Sequence, residues 1–179
     1  GIVRWWQVGN EVDFDRAAAG AEGDYGSCHG GQPEVYAVLL AEARAAAKAA
    51  DPASMIGFGP VAWDRFTAAS APEGWTAPPG PYVYDFTERA LEALAGIGDG
   101  PLVDFVALHH YNDNAHAWDG AAGRELVARV ARFRDAQLAL PGVYDVRDLP
   151  LVIGETGLAA GPSDAYTERG EAHQAAYAG

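Results

Sequence analysis

Gly9-Asn10-Glu11, His109-His110-Tyr111 and Gly154-Glu155-Thr156-Gly157 each close a short run of β-branched and aromatic residues. Together they offer two carboxylates, an imidazole, a phenol and an amide, a set that suits cleavage of a glycosidic bond. That chemistry needs one protonated carboxyl at the leaving oxygen and one ionised carboxylate near the anomeric carbon. An environment that pushes the two pKa values apart assigns the roles. An amide such as Asn10 can grip a sugar hydroxyl, and a phenol such as Tyr111 can orient a carboxylate. A single Glu in such a place has a plainer reading, as a solvated loop residue or a helix-cap partner. Two of them, with His and Tyr on an intervening segment, favour a site, because burying a carboxylate without partners is costly.

Strands and helices alternate around these segments. Residues 3–8 read as a strand, followed by a Gly- and Asp-rich loop and a helix over 33–50. That helix has Pro in its first turn, Glu34 beside it, and Val35, Val38 and Leu39 as its apolar face. A second strand over 55–59 leads into a loop dense in Pro and Gly, and Phe86, Leu91 and Leu94 mark a second helix. The third strand covers 102–111, the third helix carries Leu126, Val127, Val130 and Phe133, and the fourth strand is 151–153, with a further helix from near Ala165.

This grammar predicts a parallel sheet with right-handed crossovers, and continuously apolar strands fit burial on both faces. No G-x-G-x-x-G or Walker loop follows a strand, which disfavours a doubly wound nucleotide fold. Units of ~45 residues whose long loops follow the strands fit a (β/α)8 barrel, where the C-terminal strand ends form the catalytic face. The expected fold is therefore α/β: a partial (β/α)8 barrel of about four β/α units with parallel strands, forming a single domain over residues 1–179.

Strand parity orients the candidates. Phe105, Ala107, His109 and Tyr111 share one face of the third strand, and Val106, Leu108 and His110 share the other. His109 and Tyr111 should then point into the barrel mouth. On the fourth strand Leu151, Ile153 and Glu155 share a face, so Glu155 joins them if Ile153 is interior. Asn10 and Glu11 are consecutive, and both can face the site only where the chain bends.

Trp63, Trp75 and Trp118, in loops after strands, could offer flat apolar faces to sugar rings, or serve as loop anchors. His29 could line a subsite, while Asp13, Asp15 and Asp24 read as a solvated rim. Cys28-His29 lacks the spatial pairing that a thiol nucleophile needs. A competing class is a metal-dependent hydrolase using His109, His110 and His116, since His is the commonest zinc ligand. Against it, adjacent His109 and His110 point to opposite sides of a strand, and no H-E-x-x-H helix occurs. A non-catalytic carbohydrate-binding barrel is a further alternative, although a binder has no need of both glutamates.

Composition narrows the partners. The 179 residues hold 12 Lys+Arg and 25 Asp+Glu, a formal net charge of -13, which argues against nucleic acid as a partner. Cys28 stands alone, so no internal disulfide forms, and no apolar stretch approaches membrane-spanning length. A strand already under way at residue 3 and a helix without a stop signal over 171–177 read as a piece of a longer chain, which would supply the missing barrel strands.

Trp6-Gln7-Val8-Gly9-Asn10-Glu11 and Leu151-Val152-Ile153-Gly154-Glu155-Thr156-Gly157 resemble the ends of the fourth and seventh strands in the clan A retaining glycoside hydrolases. His109-His110-Tyr111 is similar to the His-x-Tyr that often ends their sixth strand, and Ala50-Asp51-Pro52 before Ile56-Gly57-Phe58-Gly59-Pro60 is similar to their intervening turn. The resemblance spans nearly the whole chain as strands four to seven. It implies Glu11 as general acid/base, Glu155 as nucleophile, and Asn10 as the contact to the sugar 2-hydroxyl. His109 and Tyr111 would orient and polarise the site, with Trp63, Trp118 and His29 as further substrate contacts. The implied activity is double-displacement hydrolysis of a β-linked or α-arabinoside-type glycoside, oligosaccharide or polysaccharide, without a cofactor. Such an activity suits a secreted or periplasmic protein, an expectation that rests on function and not on a signal in the sequence. Gly9 departs from the Trp-Asn-Glu of many members.

Overall fold

The computed structural model describes residues 3–14, 29, 31–62, 83, 85–98, 102–111, 126–138 and 146–157. The strands are β1 (Trp5–Val8), β2 (Met55–Val61), β3 (Phe105–Tyr111) and β4 (Leu151–Gly157). The helices are α1 (Pro33–Ala50), α2 (Phe86–Ile97) and α3 (Leu126–Arg132), the last continuing into a wider π-helical turn over Phe133–Gln137. The strands pair in parallel in the order β1-β2-β3-β4 and curl into a half-barrel sheet. Among the described residues no helix is long and apolar enough to cross a membrane.

The register defines two faces. Gln7 pairs with Gly57, which pairs with Phe105, and Trp5 packs on Phe105 with ring centroids 4.9 Å apart. Trp5, Gln7, Phe105, Ala107 and His109 therefore share the concave face. Ile56, Phe58, Val106 and Leu108 turn the other way, onto Tyr36, Leu40, Phe86, Leu91 and Leu94 of α1 and α2, and together they form the buried core. The two middle strands, β2 and β3, are buried almost along their whole length, with helices packed on one face, whereas β1 and β4 are more exposed.

Helix α1 has the predicted bounds but not the predicted face. It buries Pro33, Tyr36, Ala37 and Leu40, whereas Val35, Val38 and Leu39 are 47%, 54% and 37% exposed. The large ring of Tyr36 decides the rotation by seating against Phe58 and Phe86. Val127 of α3 is likewise exposed, although Phe133 is buried. Val3, Trp6, Val8, Ala43, Ala47 and Ile56 border a groove of about 680 Å3 between the outer edge of β1 and α1.

The amino ends of the strands are tied electrostatically. Asp104 accepts the Ile56 N–H at 2.8 Å and ion-pairs with Lys48 at 2.9 Å and Arg44 at 3.5 Å. Burial pushes its carboxyl up, but the Ile56 N–H, Lys48 and Arg44 together outweigh that and hold it below the ordinary carboxylate range. On the surface, Arg89 of α2 grips Glu34 of α1 through both carboxylate oxygens.

Candidate active site

The chain leaves β1 through Gly9, whose φ of +90° is readily adopted only without a side chain, and Glu11 follows at φ +44°. This is the bend that lets the Gly9-Asn10-Glu11 segment turn at the sheet rim. It is held from several sides. Val12 N–H donates to Pro60 O, Phe14 N–H closes a turn onto Glu11 O, and the Tyr36 hydroxyl donates to Val8 O at 2.9 Å while accepting Gly59 N–H at 2.7 Å. Burial pushes the Tyr36 phenol well above its ordinary pKa, so it stays neutral and can both donate and accept. Asp13 is buried, not a solvated rim residue: its carboxylate accepts Ala62 N–H and its carbonyl accepts Val83 N–H.

Glu155 reaches the same rim by a different device. Leu108 pairs with Ile153 and His109 with Glu155, so β4 carries one extra residue, Gly154. Ile153 packs with the helix-side core, contrary to an interior placement. The bulge reverses the alternation, and Glu155 consequently falls on the His109 face after all. Gly154 also makes room for the imidazole: a Cβ there would stand 3.0 Å from His109 Nε2.

These devices bring Glu11, His109 and Glu155 together. His109 Nδ1 lies 3.3 Å from Glu11 Oε1, a hydrogen bond, and 3.6 Å from Glu155 Oε2, an electrostatic contact. One donor atom from each of the three lies within 4.8 Å of the others. His109 is almost fully buried, while the carboxylate side chains are 32% and 47% exposed, so the imidazole forms the floor and the carboxylates open to the concave side. Paired carboxylates this close can deliver a proton and a nucleophile to opposite sides of one bond. The same donor spacing also meets the reach of a divalent cation.

The remaining candidates fall elsewhere. Asn10 is exposed beside Glu11 on the bend. His29 sits in the aromatic core, with ring centroids 5.0 Å from Tyr36 and 5.6 Å from Phe86, and burial lowers its pKa to about 4. It belongs to that packing and not to the carboxylate cluster. His110 is buried and lies on the opposite side of β3 from His109, so the two do not converge. The Tyr111 backbone pairs with Gly157 at the end of β3, but its side chain, like Trp63, Trp75, Trp118 and His116, lies outside the described residues. Sequence reasoning missed Tyr36, Asp13 and Gly154. An i+4 companion to Leu40 and a Gly directly before the second Glu were the signals available.

No family model, no curated protein and no solved structure matches the chain.

Proposed function

We propose that this chain carries the catalytic residues of a retaining O-glycoside hydrolase, its strands corresponding to strands four to seven of a (β/α)8 barrel. Glu155 attacks the anomeric carbon while Glu11 protonates the leaving oxygen. A covalent glycosyl–enzyme forms, and Glu11 then deprotonates the water that releases the sugar. His109 holds the two carboxylates in register, and Asn10 contacts the sugar 2-hydroxyl.

One observation carries the reading: oxygens of Glu11 and Glu155 lie within 4.8 Å of each other on one rim. Oxygens this close suit direct attack by one carboxylate, and the separation of the carboxyl groups themselves, ~5–5.5 Å for double displacement against ~6.5–9.5 Å for inversion, is what distinguishes the two outcomes. The substrate class is a glycoside, oligosaccharide or polysaccharide, and no step requires a cofactor.

The test is turnover of a panel of aryl β-glycosides and an aryl α-arabinofuranoside by the wild type, Glu11→Gln and Glu155→Gln. Loss of a catalytic acid or nucleophile should lower kcat by at least ~100-fold. Near-normal rates in either variant would remove that residue from the mechanism. Turnover that a chelator abolishes and a divalent cation restores would instead favour metal-assisted hydrolysis at the same cluster.

A further inference from the structure

The two ring nitrogens of His109 have unequal surroundings. Nδ1 faces both carboxylates. Among the described residues Nε2 is buried without a hydrogen-bond partner, a state that is costly unless a partner is supplied. A Cβ on Gly154 would lie 3.0 Å from Nε2 and 3.6 Å from Gln7 Oε1, so the imidazole and the Gln7 amide border the same small volume. Gln7 belongs to β1, Gly154 to β4 and His109 to β3, so the concave face brings all three strands to this point. Gln7 is exposed, which leaves its side chain room to rotate toward the ring.

We propose that Gln7 is the positioning residue of His109, its side-chain amide closing on Nε2 and fixing the ring so that Nδ1–H points at the carboxylates. An amide suits this place better than a carboxylate, because it carries both an acceptor oxygen and a donor NH2. When the ring is neutral, with its hydrogen on Nδ1, Nε2 accepts from the Gln7 NH2. When the ring is charged, Nε2–H donates to Gln7 Oε1. A flip of the amide satisfies either state, and the ring keeps its orientation between Glu11 and Glu155. The catalytic consequence rests on the hydrolase reading above; the hydrogen bond itself does not.

The experiment is a long-range 1H–15N spectrum of the imidazole nitrogens in the whole chain, which has five histidines, for wild type, Gln7→Leu and Gln7→Glu, with His109→Gln to assign the signals. Gln7→Leu should move the His109 Nε2 resonance and broaden it by tautomer exchange, while the other histidines stay in place. Gln7→Glu, nearly isosteric and so a guard against a folding defect, should keep the line sharp and move both nitrogens toward their protonated positions. Gln7→Leu should also lower kcat about tenfold with KM unchanged, the worth of one neutral hydrogen bond in the transition state. His109 resonances identical in all three proteins would overturn the proposal. Absence of glycoside turnover in the wild type would sink the hydrolase reading alone, since the spectra still decide whether Gln7 holds the ring.

Discussion

His109 stands between Glu11 and Glu155, its Nδ1 3.3 Å from one carboxylate oxygen and 3.6 Å from the other. The shorter contact is within hydrogen-bond reach and the longer one is electrostatic, so a single ring nitrogen links the two carboxylates. His109→Ala should leave the fold intact by circular dichroism and lower kcat/KM by at least ~100-fold, within the range of lost acid–base machinery. A fall in the melting temperature with unchanged turnover would instead make His109 a packing residue.

The Gly154 bulge is a second place where geometry and activity meet. A Cβ at this residue would stand 3.0 Å from Nε2 and 3.2 Å from Cδ2 of His109. Gly154→Ala should therefore push the ring out of line, cost ~1–3 kcal/mol through overpacking, and lower activity more than stability alone explains. Chemical denaturation and kcat measured on the same preparation separate the two effects.

Much of the architecture was legible in the residues, and the misses share a cause. The bounds of α1 followed from Pro33 and Asp51-Pro52, local signals that do not depend on the rest of the fold. Its buried face did not follow, because Val35, Val38 and Leu39 form as good an apolar stripe as Tyr36, Ala37 and Leu40. Only the fit of the Tyr36 ring against Phe58 and Phe86, and of its hydroxyl to Val8 and Gly59, chooses between them. Glu155 reached the expected face by an unexpected route: strict alternation would have sent it with Ile153 to the helix side, and an inserted Gly154 reversed it. Bulges depend on pairing with a neighbouring strand, which no single strand's sequence records.

Tyr36 links the core to the rim, and its hydroxyl spans the ends of β1 and β2. Tyr36→Phe keeps the ring but leaves Val8 O and Gly59 N–H unpaired, which should cost ~1–3 kcal/mol. Hydrogen exchange at the Gly59 amide should speed up by a matching factor. An unchanged denaturation midpoint would show that water takes over both bonds.

Glu11 occupies left-handed backbone at φ +44°, a conformation that costs a side-chain-bearing residue ~1–2 kcal/mol. Glu11→Gly should therefore be more stable than Glu11→Gln, although both lose the acid. Equal stabilities would mean that the turn relaxes in the variants.

Acid sensitivity should come in two windows. His29 has its pKa lowered to about 4 by burial, so the unfolded chain, at ~6.5, takes up the proton first. Stability is fully present above pH ~6.5 and is lost as pH falls toward the folded value. Asp104, held low by the Ile56 N–H, Lys48 and Arg44 against the upward push of burial, adds stability above ~3.9 that is lost only on further acidification. His29→Phe should flatten the first window and leave the second. Urea midpoints measured from pH 7 to pH 3 check both.

The pairing of Glu11 and Glu155 is most directly tested by covalent trapping. The chain would be incubated with an activated 2-deoxy-2-fluoro glycoside, and the modified peptide mapped by mass spectrometry. The account predicts one glycosyl adduct, on Glu155, absent from Glu155→Gln and formed more slowly in Glu11→Gln when the leaving group needs protonation. Turnover of the parent glycoside with no adduct, or an adduct on any other carboxylate, would contradict it.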